Sequence, residues 1–387
     1  MMSEGISEAQ LIAEYSAAIR EVGHVNIYGA GAFGCALVSA LLEAGIEVDF
    51  LIDRSITSTE FDRIPVVRPG SSELDRSIPI LVSVMGYPGI VTSLESDGFL
   101  TVIPTELVFD LFTVALLIFT TDGSIWRSRD RDRHLDEGGI ALLSGLLKDQ
   151  KSHEVLDTLI AFRSSPSRLT YPWPDTHEWY FPPDIALYPT SGSISVIDCG
   201  AYDGDSLRAY LEHFGERITD YLAIEANPKN AKVLSTWVQE NTVAGHSEGA
   251  GIRVSNVAVS DRRGEILLSD EGTASTYFTC SYADESVLGD GLFTVVTAPI
   301  DDLAWDTDWT LIKMDIEGAE YEALLGARNL IADQHPALAI SVYHRPDDLW
   351  RLPMLVDSLA PEAYDFYLRL EGHWGSETVC YAVPKLG

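Results

Sequence analysis

Apolar positions along the chain form two separate series of short runs. In "HVNIYGAGAFGCALVSALLEAGIEVDFLIDRS", starting at residue 24, a strand-like run meets a glycine turn, then apolar residues at helical spacing, then a second strand-like run. This is one βαβ unit. The runs "IPILVSV" (78–84) and "FLTVIP" (99–104) alternate with helix-like pieces, so a small parallel-sheet domain over 24–115 is expected. Leu11, Ile12, Tyr15 and Ile19 mark a leader helix within 1–23.

A bridge over 116–190 follows. Ile140, Leu143, Leu146 and Leu147, then Val155, Leu156, Leu159 and Ile160, predict two helices. The stretch "TYPWPDTHEWYFPPD" (170–184) must be irregular, because proline lacks an amide proton and disfavours helix before it. Trp173, Trp179 and Tyr180 in or beside it suit an acceptor pocket, although packing between domains is the preferred reading. From Ile194 a second α/β series begins: "ISVIDCG", "YLAIEANP", "IRVSNVAVSD", "LIKMDIEG" and "ALAISVYH", then "DFYLRLE" and "TVCYAVP". The last two lie too close together for a crossover helix and should form an antiparallel hairpin at the sheet edge. The expected fold class is α/β, with two Rossmann-like domains in tandem and the second over 191–387.

Charge changes the picture. Against 26 Lys and Arg stand 59 Asp and Glu, a formal net charge of -33. Such a chain repels phosphate backbones and anionic headgroups, which argues against nucleic acid as a partner. Four cysteines without CxxC spacing fit a reducing compartment. The first residues lack the order of a signal peptide, and the apolar run "LVFDLFTVALLIF" (107–119) is too short for a bilayer and contains Asp110. A cytoplasmic chain without membrane insertion is expected.

The stretch "VIDCGAYDGDS" (196–206) crowds Asp198, Asp203 and Asp205 around a glycine turn. Glycine turns that hold a pyrophosphate present amides at a helix start, and three carboxylates there would repel it. A sulfonium that carries an ammonium meets no such repulsion, so S-adenosyl-L-methionine fits, with Gly200 and Gly204 letting backbone approach it. Glu225 ends the next strand 27 residues after Asp198, near the spacing of a ribose-binding acid. Asn227 before Pro228 is the better helix cap, which leaves Glu225 for the ligand.

These pieces, with "NVAVSD", "LIKMDIEGAEYEALLGA" and the closing "YHRPDDL", "FYLRLEGHW" and "ETVCYAVP", resemble the FkbM family of S-adenosylmethionine-dependent methyltransferases over about 178–387. The resemblance implies a class I methyltransferase fold with a seven-stranded, mostly parallel sheet and an antiparallel terminal strand. It also implies methyl transfer to a hydroxyl oxygen. Asp198, Gly200, Gly204 and Ser206 would line the methionine end and Glu225 the ribose. Val257, Ala258 and Asp261 would lie along the adenine. Tyr202 stands where the family more often has Asn.

Asp315 and His344 end two strands, and ligands in open parallel sheets sit beyond those ends. His344 is the candidate general base and Asp315 its orienting carboxylate. Asp315, Glu317, Glu320 and His344 are also donors suited to a divalent ion, a competing account; no metal is assigned. Lys313, alternating away from Asp315, is read as an internal ion-pair partner.

The first turn, Gly29, Gly31 and Gly34 with Asp53 19 residues after Gly34, satisfies a dinucleotide fingerprint. A nucleotide-type ligand there, or inert packing in a dimerising domain, are the two readings. The function expected is O-methylation of a hydroxyl on a sugar, nucleotide-sugar or glycan precursor, as in polysaccharide biosynthesis. A nicotinamide oxidoreductase and a non-catalytic binding protein are the alternatives.

Overall fold

The computed structural model describes residues 8–55, 60–84, 89–111, 135–164, 170–242, 251–269, 277–278 and 292–385. Residues 1–7 of the leader, 112–119 of the apolar run, much of the first part of the expected bridge, and Cys280 lie outside them. The chain divides into two compact units. One comprises Met1–Leu135, Asp157–Trp173 and Gly372–Gly375; the other comprises Asp136–Leu156, Pro174–Glu371 and Ser376–Gly387. The bridge is thus shared out: its two helices are Glu137–Leu146 and Gln150–Ser164, and the division falls inside the second.

In the first unit the strands are β1 (His24–Tyr28), β2 (Glu47–Ile52), β3 (Glu60–Phe61), β4 (Ile64–Val67), β5 (Ile80–Val82) and β6 (Val102–Ile103). Their order is β3-β4-β2-β1-β5-β6, with every pairing parallel except β3 with β4. Strand β1 is buried almost throughout, as a central parallel strand must be. The helix Glu8–Val22 packs Ile12, Tyr15 and Ile19 into the same core as Val25, Leu37 and Leu41. The edge pair β3 and β4 had no strand signal beyond the short run "RIPVV".

The second unit carries β7 (Ile194–Cys199), β8 (Ile218–Ile224), β9 (Gly251–Ser255), β10 (Ala258–Val259), β11 (Gly264–Ser269), β12 (Tyr277–Phe278), β13 (Leu292–Ala298), β14 (Leu311–Met314), β15 (Ala337–Ser341), β16 (Tyr364–Leu370) and β17 (Thr378–Pro384). Seven of these form a mixed sheet in the order β16-β17-β15-β14-β7-β8-β9. Strand β17 runs antiparallel to β15 and β16, and every other pairing in this sheet is parallel. Strands β7, β14 and β15 are buried at every position, which is why they read as largely apolar runs, with the few polar residues in them buried as well. Strand order reverses between β7 and β14, so their carboxyl ends open a crevice.

One expectation changes here. "IRVSNVAVSD" is not one strand. The Asn256 side-chain amide donates to the carbonyls of Glu225 and Ala226 at 2.8 and 3.0 Å, turning the chain so that β10 joins a separate sheet, β10-β13-β11-β12. After Glu317 the chain forms two helices, Glu320–Gly326 and Arg328–Gln334. A Cβ on Gly326 would meet the Ser260 carbonyl at 2.1 Å, so this glycine lets the backbones touch. No helix among the described residues is long and apolar enough to cross a membrane.

Candidate active site

A cavity of about 440 Å³ opens at the carboxyl ends of β7, β8 and β14, within the usual range for small-ligand sites. Gly200, Tyr202, Ser206, Glu225, Val257, Ala258 and Asp315, all expected at a site, line it together. Trp179 and Tyr180 line it too, so at these two residues the aromatic segment faces a ligand space instead of serving only as packing.

Each wall has a physical origin. Helix Asp205–Phe214 begins at Gly204, which adopts φ 95°, and no side chain caps it, so Ser206 is not spent as a cap. The Asn227 side chain accepts from Lys229 N at 2.9 Å and caps the helix Pro228–Thr242. Glu225 accepts from Tyr202 N at 2.9 Å and from Asn227 N at 2.8 Å, and its other lone pairs stay available. Burial pushes its carboxyl pKa up, although those two amides pull against the shift. Val257, Ala258, Val259 and Leu268 form an apolar side suited to a planar base.

Five residues that the sequence pointed to lie outside the cavity wall. Asp198 is fully buried and faces Lys313 Nζ at 3.0 Å and the Tyr221 hydroxyl at 2.7 Å, a structural pair behind the cavity. Asp203 is paired with Arg208 at 2.7 Å, so two of the three turn carboxylates are neutralised by protein cations. Asp261 lines a different cavity with Arg262, Arg263 and Glu322. Gly204 is held by packing: a Cβ there would meet Leu234 Cδ1 at 2.6 Å. Gly200, at φ 81°, also serves the protein, since its Cβ would fall 1.9 Å from the Asp315 carbonyl. On the side where a Cβ would point, both glycines admit neighbouring protein atoms, and Gly200 also lines the cavity.

His344 is the fifth. It is buried and absent from the cavity wall, with Nδ1 2.9 Å from Glu320 Oε1 and Nε2 3.4 Å from Asp315 Oδ1 and 3.5 Å from Glu317 Oε2. Burial alone would lower its pKa, but Glu320, Asp315 and Glu317 raise it to about 10. The carboxylates around the ring thus favour added positive charge at this position. Asp315 itself reaches the cavity, and its Oδ2 accepts from the Tyr180 hydroxyl at 3.0 Å.

Sequence reasoning passed over Asn230, Tyr343 and Glu377 as cavity residues. Tyr343 was legible as a strand-end neighbour of His344. Glu377 was not, because it sits in the short connection after β16, where its φ of 53° aims it inward. It accepts from the Tyr343 hydroxyl at 3.0 Å, and burial with the Asp315 charge pushes its pKa up to about 8. Burial also raises Asp205.

At the first glycine turn, Gly34 is dictated by contact: its Cβ would lie 1.8 Å from the Gly29 carbonyl. Gly29, at φ 109°, abuts Val84 and Ser83. Asp53 Oδ2 accepts from Ala30 N at 2.8 Å and Oδ1 from Ser55 N at 2.7 Å, so its carboxylate braces the turn. Gly31 alone has open space around it.

Residues 198–371 match the family model described as the Methyltransferase FkbM domain. This segment is an FkbM methyltransferase domain. Over 96% of this chain and 93% of the other, the fold is similar to a crystal structure of methyltransferase FkbM from Methylobacillus flagellatus KT, with a TM-score of 0.65 and 22% identity. Weaker likenesses, too slight to carry an argument, include a putative rRNA-methylase from Clostridium thermocellum (TM-score 0.32, 6% identity, 51% of this chain and 90% of that one). Another is Podospora anserina PaMTH1 (TM-score 0.28, 11% identity, 50% and 72%). No curated protein matches the chain. The FkbM domain contains all of the lining residues above except Trp179, Tyr180 and Glu377.

Proposed function

We infer that the FkbM domain binds S-adenosylmethionine in this cavity, on a class I methyltransferase fold. Its methyl acceptor is a hydroxyl on a sugar, nucleotide-sugar or glycan precursor. The charge of the lining carries the reading. Asp205, Glu225, Asp315, Glu317 and Glu377 face the cavity, while the one lining cation among the described residues, Lys313, is already paired with Asp198. Asp205, Glu225 and Glu377 all hold their protons more tightly than usual, so the site favours added positive charge. A sulfonium and an ammonium provide it, whereas a diphosphate adds repulsion. Glu225 offers lone pairs to ribose hydroxyls, and the Val257–Val259 side takes the base.

The donor, when bound, supplies a methyl group on a positively charged sulfur. The protein positions the acceptor oxygen for in-line displacement and excludes water. Asp315, fixed by Tyr180, is the cavity carboxylate placed to orient the acceptor hydroxyl and take its proton. Half-exposed Trp179 and Tyr202 present ring faces suited to the C–H face of a sugar. The oxidoreductase alternative loses support, because the contacts of Gly34 and the Asp53 brace explain the first turn by packing.

Calorimetry with S-adenosylhomocysteine tests the reading. The wild type should bind saturably, and Glu225→Ala should bind at least tenfold more weakly. Absence of heat from either S-adenosyl compound, with saturation by a dinucleotide at this cavity, would end it.

A further inference from the structure

The cluster behind the cavity contains a histidine nitrogen with nothing to bond. His344 is 6% exposed, and its Nε2 has no hydrogen-bond partner; Glu320 Oε2 is likewise buried and unpartnered. Buried polar atoms rarely stay unsatisfied, so such a pair asks for an explanation. Around Nε2 stand Asp315 Oδ1 at 3.4 Å and Glu317 Oε2 at 3.5 Å, beyond a good hydrogen bond. Donor atoms sharing an ion at about 2.1 Å are themselves separated by about 3 Å or slightly more. Donor atoms of Asp315, Glu320 and His344 also lie within 4.8 Å of one another.

We propose that this cluster is a divalent-cation site, with Asp315, Glu317 and His344 Nε2 as ligands and Glu320 holding the ring through Nδ1. The Nδ1 to Glu320 contact of 2.9 Å fixes the tautomer that leaves Nε2 as the ligand nitrogen. Glu317 adopts φ 56° before Gly318 at φ 94°, a strained turn that brings its carboxylate beside the ring. Two carboxylates and one imidazole suit a mixed oxygen and nitrogen ion such as Mn²⁺. Asp315 and Glu317 also line the cavity, so the ion would lie where an acceptor hydroxyl meets them and would make that hydroxyl a stronger acid. This role rests on the methyl-transfer reading; the site itself does not.

The test is Mn²⁺ binding to the purified full chain, without any S-adenosyl compound, followed by electron paramagnetic resonance of free Mn²⁺. One saturable site per chain is expected. His344→Ala and Glu317→Gln should each weaken it about tenfold or more, while Glu240→Gln, on an exposed helix surface, should not change it. Glu317→Gln guards against misfolding of the histidine variant, since Glu317 is 29% exposed. Non-saturable binding, or a site unaffected by both variants, overturns the proposal. S-adenosylhomocysteine calorimetry on the same samples reads the methyl-transfer hypothesis separately.

Discussion

Lys313 Nζ lies 3.0 Å from Asp198 Oδ1, with both side chains shut away from water. The lysine also donates to the Gly200 carbonyl at 2.9 Å, so it ties β14 to the glycine turn after β7. Desolvation opposes its charge, but Asp198 and Asp315 outweigh this and hold its pKa above the ordinary value. Lys313→Met leaves Asp198 buried without its counter-charge, which typically costs about 3–5 kcal/mol. Asp198→Asn should be similarly harmful. Combining the two should recover a large part of the loss, as chemical denaturation will show. If the double variant loses the sum of both singles, the pair is not the unit described.

Gly200 and Gly204 separate two kinds of glycine demand. A Cβ on Gly200 collides with the backbone carbonyl of Asp315, which cannot yield without moving the cavity carboxylate. A Cβ on Gly204 meets only the tip of Leu234, which can rotate, although φ of 95° strains it. Gly200→Ala should therefore lower the melting temperature more than Gly204→Ala, and should alone weaken S-adenosylhomocysteine binding. Equal effects on both measures would place the collision elsewhere.

The central strands of the main sheet were open to sequence reading because "VIDC", "LIKM" and "ALAIS" are short, largely apolar runs with one polar residue each and no competing period. The second sheet was not. It depends on a side-chain turn at Asn256 and on long-range pairing of β11 with β13, neither of which leaves a local signature. At the site, strand-end logic found Asp315 and Glu225. It could not tell that Asp198 faces inward to Lys313, since both ends of that pair are buried only once β7 and β14 are adjacent. His344 was found as a strand-end residue, but the three carboxylates around its ring were not, because their convergence is a tertiary fact.

Tyr180 adopts φ 67° and its hydroxyl donates to Asp315 Oδ2 at 3.0 Å. Tyr180→Phe keeps the ring and removes this donor to a charged group, a bond worth about 1.5–3 kcal/mol. Turnover should fall roughly tenfold or more, with S-adenosylhomocysteine affinity unchanged. A pure affinity loss would move Tyr180 from positioning Asp315 to holding the donor.

Asp348 gives the pH prediction. It is 1% exposed, and its Oδ2 accepts from Arg345 N at 2.8 Å. Burial, then the Glu320 charge, raises its pKa from 3.8 to about 8; the Arg345 amide and the charges of His344 and Arg345 only partly offset them. The folded state then binds a proton that the unfolded chain releases near pH 4, so this group's contribution is fully present below that pH. It is lost as pH rises towards 8 and constant above it. Asp348→Asn keeps an acceptor for Arg345 and removes the titration. Against the variant, wild type should lose stability between pH 5 and pH 8 at no more than about 1.4 kcal/mol per pH unit. Urea unfolding in chelator, so that bound cations do not contribute, measures the difference. Parallel stability profiles for the two proteins would show that Asp348 is ionised in the fold and that its burial is compensated by partners other than a proton.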